Sequence, residues 1–246
     1  LTSVTDHWAT AAVVGPNSRD VVSSVCDSID FSATAFPFMG SKTGSIGDME
    51  CRVNRISFSG ELAYEVNVPA NYGRFMWEKL MQAGESYDIT PYGTETMHVL
   101  RAEKGYVIVG QDTDGSVTVN DLGLGWALSK AKQDFIGKRS LDRPDTVRED
   151  RKQLVGLLTE DPVTVIPEGA QLVNDPQAPM PMPMVGHVSS SYYSACCGHS
   201  IAMALVKGGH HRMGETVYAP LANGRVIKAT ITEPVFYDKE GSKSNA

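Results

Sequence analysis

"RISFSGELAYEV", Arg55 to Val66, reads as one β-strand that carries two carboxylates. Apolar residues alternate along it, Ile56 and Phe58 first, then Leu62, Tyr64 and Val66 beyond Ser59-Gly60. Side chains four apart on a strand share a face, so Glu61 and Glu65 are expected on one side of the sheet. That side is either solvated or the wall of a polar ligand pocket.

Upstream, "WATAAVVGPNSRDVVSSV" gives a strand ending at Gly15-Pro16. A helix follows from Asn17 or Ser18, with Val21, Val22 and Val25 on its buried face. The run from Thr43 to Gly84 reads as two strands and then a helix, with a break at Pro69-Ala70-Asn71 and Phe75, Met76, Leu80 and Met81 at helical spacing. Thr94 to Lys104 is a second helix, stopped by Gly105 as a left-handed cap. Strands and helices therefore interleave through the first half.

The segment Lys132 to Gln153 is strongly charged and contains Pro144, as expected of a linker or a solvated helix. From Leu154 the texture changes to short strand-like runs separated by Gly, Pro, Asn and Asp, which fits a small all-β barrel or sandwich. The Pro-Met alternation of Ala178 to Gly186 belongs to an edge or a loop, because proline lacks the ladder donor. The expected fold class is α+β, with domains at 1–150 and 151–246.

A chain of 246 residues can bury a sizeable core, and 41% apolar with 21% charged residues excludes wholesale disorder. The net charge of -7 and the scattered Lys and Arg leave no footprint for a nucleic-acid backbone. Apolar runs such as Ile201 to Val206 are too short to span a bilayer, so no membrane partner is expected. Cys26 and Cys51 stand alone while Cys196 and Cys197 are adjacent, unlike a secreted disulfide framework, which points to a reducing, cytoplasmic compartment. The opening lacks an initiator Met and a leader, so the chain is expected to begin inside a longer polypeptide.

No phosphate-loop, dinucleotide, zincin or nucleophile-elbow motif is present. His187, Cys196, Cys197 and His199 lack the spacing of a structural zinc site, and no metal is expected. The adjacent cysteines, read as part of one strand, point to opposite faces, and at least one is expected to be a small buried hydrophobe. Arg101 and Glu103 in "MHVLRAEKG" face different directions on a helix, so at least one needs a partner elsewhere in the fold. Taken singly, these two and the Gln111, Asp112 and Asp114 of "GQDTDG" read first as solvated or ion-paired surface groups.

Five runs in order, "RISFSGELAYEVNVP", "LRAEKGYVIVGQDTDG", "GLGWALSKAKQDFIGKRSL", "GHVSSSYYS…IAMALV" and "PVFYDKEG", resemble the successive signatures of the glycine-cleavage aminomethyltransferase family. Within it, "AEKGYVIVGQDTDG", "DFIGKRSL" and "PVFYD" are most similar to the C-terminal region of the α subunit of heterotetrameric sarcosine oxidase. The resemblance implies a tetrahydrofolate-binding α+β region, here lacking its N-terminal part, followed by a C-terminal β-barrel. It implies that Glu65, the second acid of the "GE…E" strand, receives the donor N–H groups of the pterin, as an acceptor-only carboxylate can. Glu61 is then structural, at the turn after Gly60.

By the same resemblance Trp126 lies near the folate, and Phe58 and Tyr64, flanking Glu65, either shape the pocket or pack in the core. Met97 stands where stand-alone aminomethyltransferases have an Arg. No catalytic residue is expected in the chain, because the family's acid/base Asp falls upstream of Leu1; the segment alone is expected to be inactive. The implied chemistry is capture by tetrahydrofolate of the imine from sarcosine oxidation, giving 5,10-methylenetetrahydrofolate and glycine. The implied partners are the other sarcosine oxidase subunits, notably the flavin-bearing β subunit, with FAD, FMN and NAD bound outside this segment. Alternatives are a stand-alone aminomethyltransferase and a folate-fold docking module without chemistry.

Overall fold

A computed structural model describes residues 1–246, which fall into two compact units. One comprises Leu1–Leu100 with Asp238–Ala246, and the other Arg101–Tyr237. That division lies within a helix, some distance before the 150/151 boundary suggested by the change of texture.

The first unit is built on a four-stranded antiparallel sheet. Its strands are β1 (Trp8–Val14), β2 (Ser41–Ile46), β3 (Met49–Asn54) and β4 (Ala63–Pro69), in the spatial order β1-β4-β3-β2. Helices α1 (Ser18–Val25) and α2 (Gly73–Gly84) pack on one face. Val13, Tyr64, Val66 and Val68 from the sheet meet Val21, Val22, Met76 and Leu80 from the helices in a single core. Phe31 and Phe36 enclose Tyr64 from the chain between α1 and β2, with ring centroids 5.5 and 5.8 Å from it.

Two expectations fail here. Arg55 to Val66 is not one strand, since Arg55 to Leu62 lie outside any strand and pairing begins only at Ala63. The Ser57 and Ser59 hydroxyls accept the amides of Gly60 and Glu61 at 2.9 and 3.2 Å, and Gly60 takes φ +83°, so side-chain turns hold the backbone out of the ladder. Leu62 closes the loop, its carbonyl accepting from Gly15 N at 2.9 Å and Ser18 Oγ at 3.0 Å. Glu61 and Glu65 therefore share no strand face; Glu61 pairs with Lys243 at 3.3 Å. Secondly, β2 is a third strand in a run read as two. Its "SKTGSI" has weak strand propensity, but Gly44 lets Ile29 approach so closely that a Cβ there would lie 2.6 Å from Ile29 Cγ1.

Helix α3 (Thr94–Glu103) ends as read. Gly105, at φ +67°, donates to Ala102 O at 3.0 Å while Tyr106 N reaches Arg101 O at 2.9 Å. A short helix, α4 (Lys138–Leu141), lies within the charged segment.

In the second unit, β5 (Lys152–Thr159), β6 (Gln171–Val173), β7 (Met184–Ser194), β8 (His199–Lys207), β9 (Thr216–Pro220) and β10 (Val226–Thr232) close into a barrel of order β10-β5-β8-β7-β6-β9. Val155, Val188, Ala204, Val217 and Ile231 fill it. A second cluster, Leu154, Ile201, Met203 and Leu205, packs instead under Ala102, Val107, Val117 and Leu122. Closure satisfies every strand edge, which an alternating pattern alone does not specify.

Cys196 and Cys197 lie in the hairpin turn between β7 and β8, one exposed and one half-buried, so neither is the buried strand residue expected of the pair. The turn needs the left-handed Gly198, at φ +62°. No helix is long and apolar enough to cross a membrane.

Candidate functional site

Glu65 lies in the middle of β4, between Ala12 of β1 and Asn54 of β3. Because Tyr64 and Val66 enter the core, Glu65 projects from the opposite face, which no helix covers. Ala12 contributes only a methyl group beside it and is itself exposed. Two polar pairs beside it are engaged with each other. Thr10 Oγ1 donates to Asn67 Oδ1 at 2.6 Å, and Ser41 Oγ to Asn54 Oδ1 at 2.7 Å. Arg52, on the same face, stacks on Trp8 at 4.8 Å, and the Glu65 carboxylate makes no hydrogen bond or ion pair within the chain. Burial without compensation pushes its pKa up from the usual carboxylate value.

A cavity of about 470 Å³ opens along the outer edge of β1, the strand beside Glu65. Thr10 to Val14 form one wall, with Trp77 and Met81 of α2 and the run Tyr87 to Thr94 forming others. Ala12 belongs both to this wall and to the pair with Glu65, so the carboxylate stands one strand in from the cavity. Met97 also lines it.

Tyr64 is excluded from any ligand surface. It is fully buried, on the other side of β4 from Glu65, and its hydroxyl accepts from Arg19 Nε at 3.2 Å. Strand alternation makes sequence neighbours point apart, so flanking Glu65 in sequence places Tyr64 in the core. Phe58 is in the loop before β4 and 39% exposed. Trp126 belongs to the other unit, in a 3-10 turn over Gly125–Ala127, and is 80% exposed. A Cβ at Gly125 beside it would lie 2.8 Å from Asn120 Oδ1.

Arg101, Glu103 and Asp112 are a different kind of polar cluster, and none is the surface group that its type suggests. All three are buried. The Arg101 guanidinium pairs with Asp112 and donates to Ser190 Oγ at 2.6 Å and Tyr106 O at 3.0 Å. Asp112 further accepts from Ile108 N at 2.8 Å, Ser189 Oγ at 2.6 Å and Ser190 Oγ at 2.7 Å. Glu103 accepts from Ser194 Oγ at 2.6 Å. Every acceptor position on Asp112 is used within the fold, so this network fastens the end of α3 and the "GQDTDG" loop to β7 and offers nothing to a ligand.

Reading the sequence missed Ala12 and the Tyr87 to Thr94 wall. A small residue in a strand carries no signal until its cross-strand partner is known. His187, Cys196, Cys197 and His199 do not converge, and no group of three or more His, Cys, Asp or Glu is arranged to hold a metal ion.

Residues 1–132 match the GCVT N-terminal domain, and residues 152–238 the glycine cleavage T-protein C-terminal barrel domain. Sarcosine oxidase subunit alpha of Corynebacterium sp. (strain P-1) is 49% identical over 245 residues, covering 98% of this chain and 25% of that protein. Aminomethyltransferase of Caldanaerobacter subterraneus subsp. tengcongensis is 29% identical over 244 residues, 62% of its length. The chain thus spans a quarter of the length of the first relative and under two thirds of the second. The crystal structure of glycine cleavage system aminomethyltransferase T from Bartonella henselae superposes with a TM-score of 0.78 at 22% identity, over 94% of this chain and 60% of that one, a likeness of fold.

Proposed function

The chain belongs to the glycine cleavage T-protein family, and we propose that it forms the folate-acceptor region of a sarcosine oxidase α subunit. Identity favours this assignment within the family, at 49% to a sarcosine oxidase α subunit against 29% to an aminomethyltransferase. The observation that carries a folate role is the state of Glu65, a partly buried carboxylate in mid-sheet with no hydrogen bond or ion pair of its own. Such a group binds a ligand that brings its own N–H donors, and the aminopyrimidine edge of a pterin presents two in parallel.

In this reading Glu65 anchors the pterin and Phe58 supplies exposed aromatic surface in the same unit; Trp126, an exposed aromatic of the other unit, is proposed on family resemblance alone. Tyr64 holds β4 in place from beneath. Bound tetrahydrofolate would take up the one-carbon unit of the imine formed when a flavin on the β subunit oxidises sarcosine, giving 5,10-methylenetetrahydrofolate and releasing glycine. FAD, FMN and NAD are assigned to parts of the complex outside this segment, and the segment alone is assigned no turnover.

The test follows one-carbon output in the intact enzyme turning over sarcosine. With tetrahydrofolate present, 5,10-methylenetetrahydrofolate should form in step with sarcosine consumed, and Glu65→Gln should release formaldehyde instead at an unchanged rate of sarcosine oxidation. Formaldehyde release by the unsubstituted enzyme that is indifferent to tetrahydrofolate would refute the reading.

A further inference from the structure

On the barrel, away from Glu65 in sequence and in the other compact unit, the charges are unevenly balanced. A depression of about 250 Å³ is walled by β5, β7 and β8 and by the loops carrying Asp114 and Asp145 to Arg151. Most of its charges are neutralised locally. Arg148 grips Asp150 through two bonds, of 2.8 and 2.9 Å, and reaches Asp145 at 3.0 Å. Arg151 is held by Asp121 at 2.7 Å and Asp145 at 2.8 Å. Asp114 is occupied by the Ser116 amide and hydroxyl at 2.7 and 2.6 Å.

Lys152 and Lys207 are the exceptions. They face each other directly across the β5–β8 ladder, a like-charge pairing that weakens a sheet, and neither forms an ion pair with a carboxylate. Lys152 Nζ instead lies 3.4 Å from Nδ1 of His187, on the next strand over. Burial first and Lys152 second hold the His187 imidazole below its usual pKa, with Asp114 opposing them. In a protein of net charge -7, two lysines without a carboxylate at ion-pair distance and a proton-poor imidazole line one depression.

We propose that Lys152, Lys207 and His187 form a binding site for a small oxyanion, a phosphate or carboxylate group. Such an anion supplies the negative charge that the wall lacks between the two lysines, and it accepts hydrogen bonds from both ammonium groups and from the imidazole once protonated. Arg148, Arg151 and Ser116 occupy hydrogen-bonding positions on the carboxylates of the wall, while the charges of Asp114 and Asp150 act through space on His187 and Lys207.

An NMR titration of the His187 imidazole in the intact protein tests this, with inorganic phosphate in one arm and glutarate in another, at an ionic strength fixed with chloride. The expected result is a saturable rise of the His187 midpoint with added anion, and a loss of at least about tenfold in apparent affinity in Lys152→Met/Lys207→Met. Removing Lys152 raises the midpoint even without anion, so the quantity read is the increment that the anion adds. Should the double variant unfold, Lys207→Gln, on an exposed side chain, is expected to weaken the response in the same direction. A response to phosphate alone identifies a phosphate site, and a response to both anions a site for oxyanions in general. No saturable shift with either anion, or an undiminished response in the substituted proteins, overturns the proposal.

Discussion

Asp112 and Glu65 are two carboxylates carried by polar motifs of similar appearance, and the fold treats them in opposite ways. Asp112 is fully buried and accepts from a guanidinium, a backbone amide and two serine hydroxyls. Glu65 is partly buried and its carboxylate accepts from nothing. The first arrangement is complete, so its charge serves to fix one conformation of the chain. The second is unfinished, which is the ground on which a ligand is proposed there. Satisfaction by partners, more than burial or residue type, is what distinguishes the two acids here.

The largest effect should come from breaking the finished arrangement. Asp112→Ala leaves the Arg101 guanidinium buried without its counter-charge and should cost about 3–5 kcal/mol in chemical denaturation. Arg101→Met combined with Asp112→Leu should recover much of that loss, since replacing both partners of a buried pair is far milder than removing one. An Asp112→Ala variant as stable as the unsubstituted protein would show that the network contributes little.

Next in size, Glu65→Gln should weaken tetrahydrofolate binding by roughly ten- to a hundred-fold, the loss of charge-assisted bonds worth about 1.5–3 kcal/mol. Its melting temperature should hold or rise, because the substitution removes a charge that burial disfavours. The two carboxylates are thus expected to respond in opposite senses, Asp112 through stability and Glu65 through binding.

A pH series sharpens the contrast. The Glu65 pKa is raised on folding, so the folded protein keeps this proton at pH values where the unfolded chain has released it. The associated stability is present in full below the ordinary value of 4.5 and is lost as pH rises through the folded-state pKa. Thermal melts of Glu65→Gln should lack that decline. Folate affinity should move the other way, falling as pH drops through the same raised pKa and the acceptor becomes protonated.

The smallest effects distinguish the aromatic residues. Tyr64→Phe removes one hydrogen bond from Arg19 and should cost about 0.5–1.5 kcal/mol in denaturant melts, with folate affinity unchanged. Trp126→Ala, at an 80% exposed position, should leave stability within about 0.5 kcal/mol and reduce folate affinity. The reverse pattern would move the binding surface to the core side of β4.

The fold was legible where periodicity or a glycine dictates it. The β1–α1 unit, α2, the Gly105 cap of α3 and the barrel texture beyond Leu154 all follow from local pattern. What escaped depends on distant partners. Ser57 and Ser59 hold turns in the Arg55–Leu62 stretch that alternation alone would extend as a strand, and Gly44 lets Ile29 pack closely on β2. Arg101 and Asp112, eleven residues apart, looked like surface charges because the serines that bury them lie on β7. At the site, Glu65 was reached through family resemblance, whereas its lack of partners became visible only once Ala12 was seen opposite it.

Calorimetric titration of tetrahydrofolate into the intact protein and its Glu65→Gln variant tests the central claim most directly. A heat of binding that saturates for the unsubstituted protein and is lost or weakened at least about tenfold in the variant, with melting temperature preserved, is the predicted result. Equal affinity in the two proteins would contradict it and return Glu65 to a bystander on an open sheet face.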